Sequence, residues 1–289
     1  MLPVDSTLPQ SQHWEAALAL EFAARDGATR LTGCRHRGPL RVQKALYPEG
    51  ATVCQTIILH PPSGIAGGDR LQISAALAEG AHAQITTPGA GKWYRSGGPE
   101  ASQELDFAVE RGAVLEWLPQ ETIVFDGAKA HMATRIRLDV DSRYLGWEIL
   151  CLGRRAAGER FSAGQVGLHT RIERCGLPLW LERGQFSGDD RLLHSRAGWA
   201  GATVCGTLLA TLPTGEAASL DIAALLTACR LIHPADGAEH GVSALPGLVV
   251  ARYLGQQGEA ARHWFTALWQ TLRPLLIGRP AVPPRIWNT

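Results

Sequence analysis

The sequence lacks an excess of either charge: 28 Lys and Arg against 27 Asp and Glu in 289 residues leave a formal net charge of +1. That removes the global field that draws a protein to nucleic acid or to an anionic membrane. No uninterrupted apolar run approaches the ~18 residues of a membrane span. The stretch Met1-Leu-Pro-Val-Asp-Ser-Thr-Leu-Pro-Gln has neither the basic start nor the apolar core of a secretory leader. The expectation is a cytoplasmic protein. The six cysteines, Cys34, Cys54, Cys151, Cys175, Cys205 and Cys229, form no C-x-x-C pair, and most lie in apolar runs such as Ile149-Leu-Cys-Leu. They read as buried small hydrophobes in a reducing compartment.

The familiar catalytic devices are missing as well. Gly64-Ile-Ala-Gly-Gly-Asp has neither the dinucleotide nor the P-loop spacing, and no strand-to-helix transition follows it, which disfavours a phosphate cradle. Ser63 is not in a G-x-S-x-G elbow. Lys92 and Tyr94 would share one face of a strand, but nothing in the sequence marks them as a base and an acid. The ten histidines show no H-x-H or H-E-x-x-H spacing, so a tight preformed metal site is not indicated. His82, and His233 in Ile232-His-Pro-Ala-Asp, read as structural hydrogen-bonding residues.

What the chain has in quantity is glycine, 32 residues, with 17 prolines and only 19% charged residues. Such a composition suits a turn-rich, strand-rich protein. From residue 14 to about 215 short apolar or alternating runs recur between turn signals, including Ala16–Phe22, Ala51–Leu59, Leu71–Ala75, His82–Thr87, Val114–Leu118, Thr134–Val140 and Gly167–Glu173. Glu49-Gly-Ala, Glu79-Gly-Ala and Arg111-Gly-Ala each open one of these runs at intervals of about 30 residues. A second echo joins Gly50-Ala-Thr-Val-Cys-Gln-Thr to Gly201-Ala-Thr-Val-Cys-Gly-Thr. The matches are either rungs of a solenoid or chance in a Gly- and Ala-rich chain.

The pattern changes over residues 216–277. Ser219–Leu231 reads as a helix capped by Ser219. In Glu259–Ile277 the residues Trp264, Phe265, Leu268, Trp269, Leu272, Leu275 and Leu276 fall on one helical face, and Pro274 should end or kink it. The two helices would cover a flank of the strand body or present an apolar stripe to a partner. The extended tail 278–289 must dock elsewhere. All of this forms one domain, mainly β, with β-helix-like stacked sheets and two helices in its C-terminal half.

Three carboxylates sit in apolar, Trp-containing runs: Glu116 in Val-Leu-Glu-Trp-Leu, Glu148 in Gly-Trp-Glu-Ile-Leu and Glu182 in Leu-Trp-Leu-Glu-Arg. A buried carboxylate costs several kcal/mol unless it is paired, hydrated or metal-bound. Either they face outward or pair with arginines such as Arg154, Arg155 and Arg183, or they line a wet interior path for a divalent cation, whose weak successive sites suit transit.

Four motifs, His60-Pro-Pro-Ser-Gly-Ile-Ala-Gly-Gly-Asp69, Thr86-Thr-Pro-Gly-Ala-Gly-Lys-Trp-Tyr-Arg-Ser96, Trp117-Leu-Pro-Gln-Glu-Thr-Ile-Val-Phe-Asp-Gly-Ala128 and Pro284-Arg-Ile-Trp-Asn-Thr289, together resemble the urease accessory protein D family, called H in some organisms. The resemblance runs from about Arg30 to the last residue. It implies a non-enzymatic, mostly β maturation scaffold that joins accessory proteins F and G and docks on apo-urease, a dimer of complexes being one form the resemblance allows. Nickel would pass through an internal tunnel, with no cofactor held tightly. Asp69 then becomes the first candidate for a tunnel-lining acid, followed by Glu148 and Glu182. His60, Gly64, Gly67, Gly68, Thr86, Thr87, Pro88, Gly89, Lys92, Tyr94, Arg95, Gln120, Glu121, Phe125, Asp126, Arg285 and Trp287 would shape turns or bind partners. Gly91 stands where many family members carry a hydroxyl residue. Two rivals are a passive tether without a metal path, and a β-helical carbohydrate-active enzyme using acids among Asp69, Glu116, Glu121 and Asp126, which would need a facing pair.

Overall fold

The structure, a computed structural model, describes residues 13–214 and 220–288. Its strands are Glu15–Arg25 (β1), Ala28–Arg37 (β2), Arg41–Leu46 (β3), Cys54–Leu59 (β4), Arg70–Leu77 (β5), His82–Thr86 (β6), Gly91–Trp93 (β7), Ala101–Val109 (β8), Val114–Leu118 (β9), Thr122–Val124 (β10), Lys129–Leu138 (β11), Arg143–Leu152 (β12), Gln165–Arg174 (β13), Leu177–Ser187 (β14), Val204–Thr211 (β15), Glu239–Leu245 (β16) and Leu248–Gly255 (β17). The helices are Ile222–Arg230 (α1) and Gly258–Ile277 (α2).

Apart from the short β7 and β10, which belong to the larger sheet, successive strands from β4 to β13 alternate between two sheets. β5, β8, β11 and β13 pair in parallel in a seven-stranded sheet, and β4, β6, β9 and β12 do so in a ten-stranded one. Each return trip is one coil of a two-sheet solenoid, so the 30-residue echo is structural. Its glycines explain why: Gly50, Gly80 and Gly112 take positive φ at 85°, 70° and 63°, and Asp141 occupies the next such corner at 57°. Glycine meets that turn without a Cβ penalty. The corners also bond to one another, Gly80 N–H to the Arg111 carbonyl and Gly112 N–H to that of Val140.

The Gly201 echo has a different outcome. β15 runs antiparallel to β12, so it extends the sheet without adding a parallel rung. Where β4 has Gln55, β15 has Gly206, and a Cβ there would lie 2.6 Å from the Phe265 ring of α2. The segment expected to be helical also supplies β16 and β17, which continue the larger sheet beyond β15.

Two apolar cores result. One fills the space between the sheets with residues such as Leu18, Phe22, Phe107, Trp117 and Ile136. The other lies between the larger sheet and the helices, where Trp264, Phe265, Leu268, Trp269, Leu272 and Leu276 pack against Trp147, Leu208 and Tyr253. The helical stripe is therefore core, except Leu275, which is half exposed. Pro274 does not end α2. It sits in the last turn, where the one helix bond it removes is that to the Gln270 carbonyl, and Gly278 at φ 78° closes the helix. α1 is capped by Asp221, whose carboxylate accepts the Ala224 N–H at 2.9 Å; the expected cap, Ser219, lies outside the described residues. The cysteine expectation holds for Cys54 and Cys229, whereas Cys34 and Cys175 are exposed, and all six are free thiols.

Candidate functional site

The motif-bearing loops all lie at one edge of the solenoid, where the chain crosses from the larger sheet to the smaller. They are knitted together rung by rung: Ile65 bridges Trp93, β7 pairs in parallel with β10, and β10 pairs with β12. The glycines there are demanded by close approach. A Cβ on Gly64 would fall 2.1 Å from the Tyr94 ring, one on Gly67 2.3 Å from Ser96 Oγ, and one on Gly68 2.0 Å from the His13 ring.

Most motif side chains bind this edge to itself. Asp69 is buried, and its two oxygens accept the Trp14 and Ala66 N–H groups, each at 2.8 Å. Asp126 accepts Ser162 and Ala163 N–H at 2.7 and 2.9 Å and pairs with Arg95 at 2.9 Å. Its burial works against ionisation, but these donors hold the carboxyl below its ordinary pKa. Phe125 takes the Tyr94 ring edge-on and stacks under the Arg154 guanidinium. Glu121 pairs with Arg262 of α2 at 2.9 Å. Thr87 Oγ1 accepts the Gln120 N–H, and Thr86 donates to the Leu118 carbonyl at 2.6 Å. The tail docks here: Trp287 donates to Thr86 Oγ1 at 2.9 Å and packs on Trp147 and Trp269, while Arg285 is exposed.

Glu116 neither faces outward nor lines a path. It is fully buried on the helix side of the larger sheet, where Arg273, His82 and Trp269 enclose it. The acids once eligible for a carbohydrate-active site, Asp69, Glu116, Glu121 and Asp126, are thus each occupied by structural donors. No pair remains free to act as acid and base.

Glu148 and Glu182 behave differently. Across the smaller sheet, register aligns Leu18, Ile73, Leu105, Thr134, Thr170 and Glu182 in one row. Across the larger sheet it aligns Glu148, Thr207 and Arg252. The polar ends of the two rows face one another around a cavity of about 80 Å³ that both carboxylates line. Glu182 pairs with Arg252 at 2.8 Å. Among the described residues, Glu148 accepts only the Thr134 hydroxyl, at 2.8 Å. Burial raises its pKa, and the charge of Glu182 adds to the rise beyond what the Thr134 bond offsets. Burial also lifts the Cys205 thiol on the same wall to about 11, so it stays protonated.

A second cavity of about 80 Å³ shares Thr122, Met132, Thr134, Glu148 and Ile149 with the first. A third, about 280 Å³, shares Ile73, Thr87, Gly91 and Gln103 with the second. The third is walled by the first two motifs: His60, Ser63, Pro88, Gly89 and Lys92. Two buried nitrogens in this series, Trp117 Nε1 and His60 Nε2, have no hydrogen-bond partner among the described residues, which marks the space as one that water can satisfy. Burial lowers the His60 pKa against the opposing charge of Asp69, leaving a neutral imidazole at the wall. Of the three acids expected on a path, two share a cavity, and Asp69 stands behind His60. The polar row Thr134-Thr170 was missed, because only the register aligns it with Glu182.

Fold and seam together define the class: a two-sheet β-solenoid scaffold whose strands enclose a polar interior seam. A family model described as UreD urease accessory protein matches residues 15–288. The chain is 64% identical over 289 residues to the urease accessory protein UreD of Dechloromonas aromatica, covering 98% of this chain and 99% of that one. It is 51% identical over 276 residues to the UreD of an Azoarcus species, with 96% and 94% covered. A Pseudomonas fluorescens UreD is 54% identical over 277 residues, with 96% and 95% covered. The chain belongs to the UreD urease accessory protein family. No helix among the described residues is long and apolar enough to cross a membrane.

Proposed function

We propose that the chain is a urease-maturation scaffold in the cytoplasm. With accessory proteins F and G it delivers nickel to apo-urease along the interior seam. The observation carrying this reading is the juxtaposition of Glu148 and Glu182 in a series of wall-sharing cavities that ends at the motif edge. Nickel is cargo here, not a resident cofactor. A carboxylate kept short of partners, as Glu148 is, welcomes a divalent charge because the ion offsets the burial that otherwise disfavours ionisation. Glu182 would take the ion by exchanging it against Arg252. Single carboxylates with Thr134, Thr170 and Thr207 hydroxyls nearby supply weak oxygen ligation, which permits release as well as entry. His60 offers a neutral nitrogen at the motif end, and Asp69 positions its loop. Motif residues left on the surface, such as Arg285 and Arg95, are available to partners.

Co-expression with accessory proteins F and G and the urease subunits tests the scaffold role. A co-purifying complex and active urease are expected with the chain present, and neither without it. Active, nickel-loaded urease made without the chain would overturn the reading.

A further inference from the structure

A second metal-competent feature lies away from the seam, in the loop from α1 to β16. His233 Nδ1 and His240 Nε2 stand 3.0 Å apart with their rings edge to face. His240 Nδ1 lies 2.8 Å from the Ala238 carbonyl, a contact that requires N–H on Nδ1 and so leaves the Nε2 lone pair aimed at His233. We propose that His233 and His240 form a two-imidazole chelating site for a divalent first-row transition-metal ion at the protein surface.

The spacing is the first argument. Metal–imidazole bonds of about 2.0–2.1 Å place adjacent ligand nitrogens roughly 3.0–3.4 Å apart, from octahedral to tetrahedral geometry. The pair already meets the lower bound, and an ion would replace the shared proton once the exposed His233 ring and, to a lesser degree, the His240 ring turn so that their lone pairs converge on it instead of on each other. That proton moves to Nε2 of His233, an exposed residue whose outer nitrogen can reach water. The bond to the Ala238 carbonyl then serves as the outer support that a ligating imidazole ordinarily has.

Preorganisation is the second argument. Asp236 pins the loop by accepting the Tyr253 hydroxyl at 2.5 Å and the Ala238 N–H at 3.3 Å. Trp264 holds the other side, donating to the Ile232 carbonyl at 2.8 Å and meeting the His240 ring edge to face at 5.3 Å. The His240 imidazole and the backbone that carries His233 are therefore fixed by the helix-side core before any ion arrives, and the exposed His233 ring has room to turn onto it. A purely structural role explains little, because an exposed imidazole such as His233 exchanges its bond to His240 for one to water at almost no net gain. No third His, Cys, Asp or Glu completes a cluster among the described residues, so water fills the remaining positions and the ion exchanges readily.

Calorimetric titration of the purified full-length chain with NiCl₂ tests this. The E148Q/E182Q variant, with its seam carboxylates neutralised, should retain one Ni²⁺ equivalent. Adding H233A should remove that equivalent or weaken it at least tenfold, and adding H240Q, which keeps a polar side chain against Trp264, should do the same. A seam variant that binds no Ni²⁺, or H233A and H240Q isotherms unchanged from their parent, would overturn the proposal. Because the seam is disabled throughout, failure here leaves the delivery path untouched.

Discussion

Arg273 of α2 lies against Glu116 of β9, Nε to Oε2 2.9 Å, and neither side chain is exposed. The two residues are 157 positions apart in sequence, and their contact fastens the helix layer to the solenoid. The same guanidinium forks onto Glu49 at 2.7 and 2.9 Å, at the first Gly-Ala corner. Glu116 in turn accepts Trp269 Nε1 at 2.7 Å and faces His82 Nε2 at 2.7 Å. Such a network is well satisfied, so its members matter most when one is removed alone.

Replacing Arg273 with Met strands two buried carboxylates and should lower stability by about 3–5 kcal/mol. Pairing it with E116Q should restore part of that loss, as expected for residues in contact. Urea unfolding followed by circular dichroism reads both values. A single variant within 1 kcal/mol of wild type, on the order expected for an exposed pair, would show that the contact contributes little.

Glu116 also sets a pH dependence. Burial opposes its ionisation, but His82 and Arg273 outweigh burial and bring its pKa from 4.5 to about 2. A depressed folded pKa stabilises the native state above the unfolded value and stops doing so as pH falls through the folded one. About 3 kcal/mol should therefore disappear between pH 4.5 and 2. Unfolding midpoints measured across that window should fall, and E116Q should show a shallower slope.

Trp287 closes the tail over Thr86, Trp147 and Trp269. Trp287→Ala should cost about 2–4 kcal/mol, somewhat under the roughly 3–5 kcal/mol for a fully buried tryptophan because Trp287 is only partly buried. Trp287→Phe should cost nearer 1 kcal/mol, the worth of the lost hydrogen bond. Equal melting temperatures for wild type and Trp287→Ala would show that the tail does not dock.

Glu148 should behave in the opposite sense to Glu116. Its raised folded pKa means that the native state binds the proton more tightly than the unfolded chain, so stability declines as pH rises through the folded value. Glu148→Gln keeps an oxygen for the Thr134 hydroxyl and removes the charge, so the denaturation midpoint at neutral pH should rise. A lower midpoint would mean that the buried charge has a stabilising partner beyond Thr134.

Much of this architecture was legible in the residues. The Gly-Ala corners announced the rungs, because a tight crossing needs positive φ and glycine supplies it. The Trp-rich stripe of α2 announced a buried face. What stayed hidden depends on register. Nothing local says that Thr134, Thr170 and Glu182 form one row, or that Glu148 meets Arg252 through Thr207, since pairing shifted by one residue would turn every side chain to the other face. Glu116, Glu148 and Glu182 looked alike in apolar context, yet one is locked to α2 and two share a cavity. Their fates were set by Arg273 and Arg252, far along the chain. β16 and β17 were missed because they lie between helices in a segment whose pattern reads as a change of architecture.

The most direct measurement is the nickel content of urease matured in cells by chains carrying E148Q/E182Q, or Gly91→Phe, against wild type. Gly91 borders two of the cavities and a Cβ there meets nothing within 4 Å, so the position accepts a side chain, and a bulky ring is the means of narrowing the seam. The account predicts intact co-purification with the partners and a several-fold drop in nickel per urease for both variants. Wild-type nickel loading by both would contradict an interior path and leave a scaffold that only tethers.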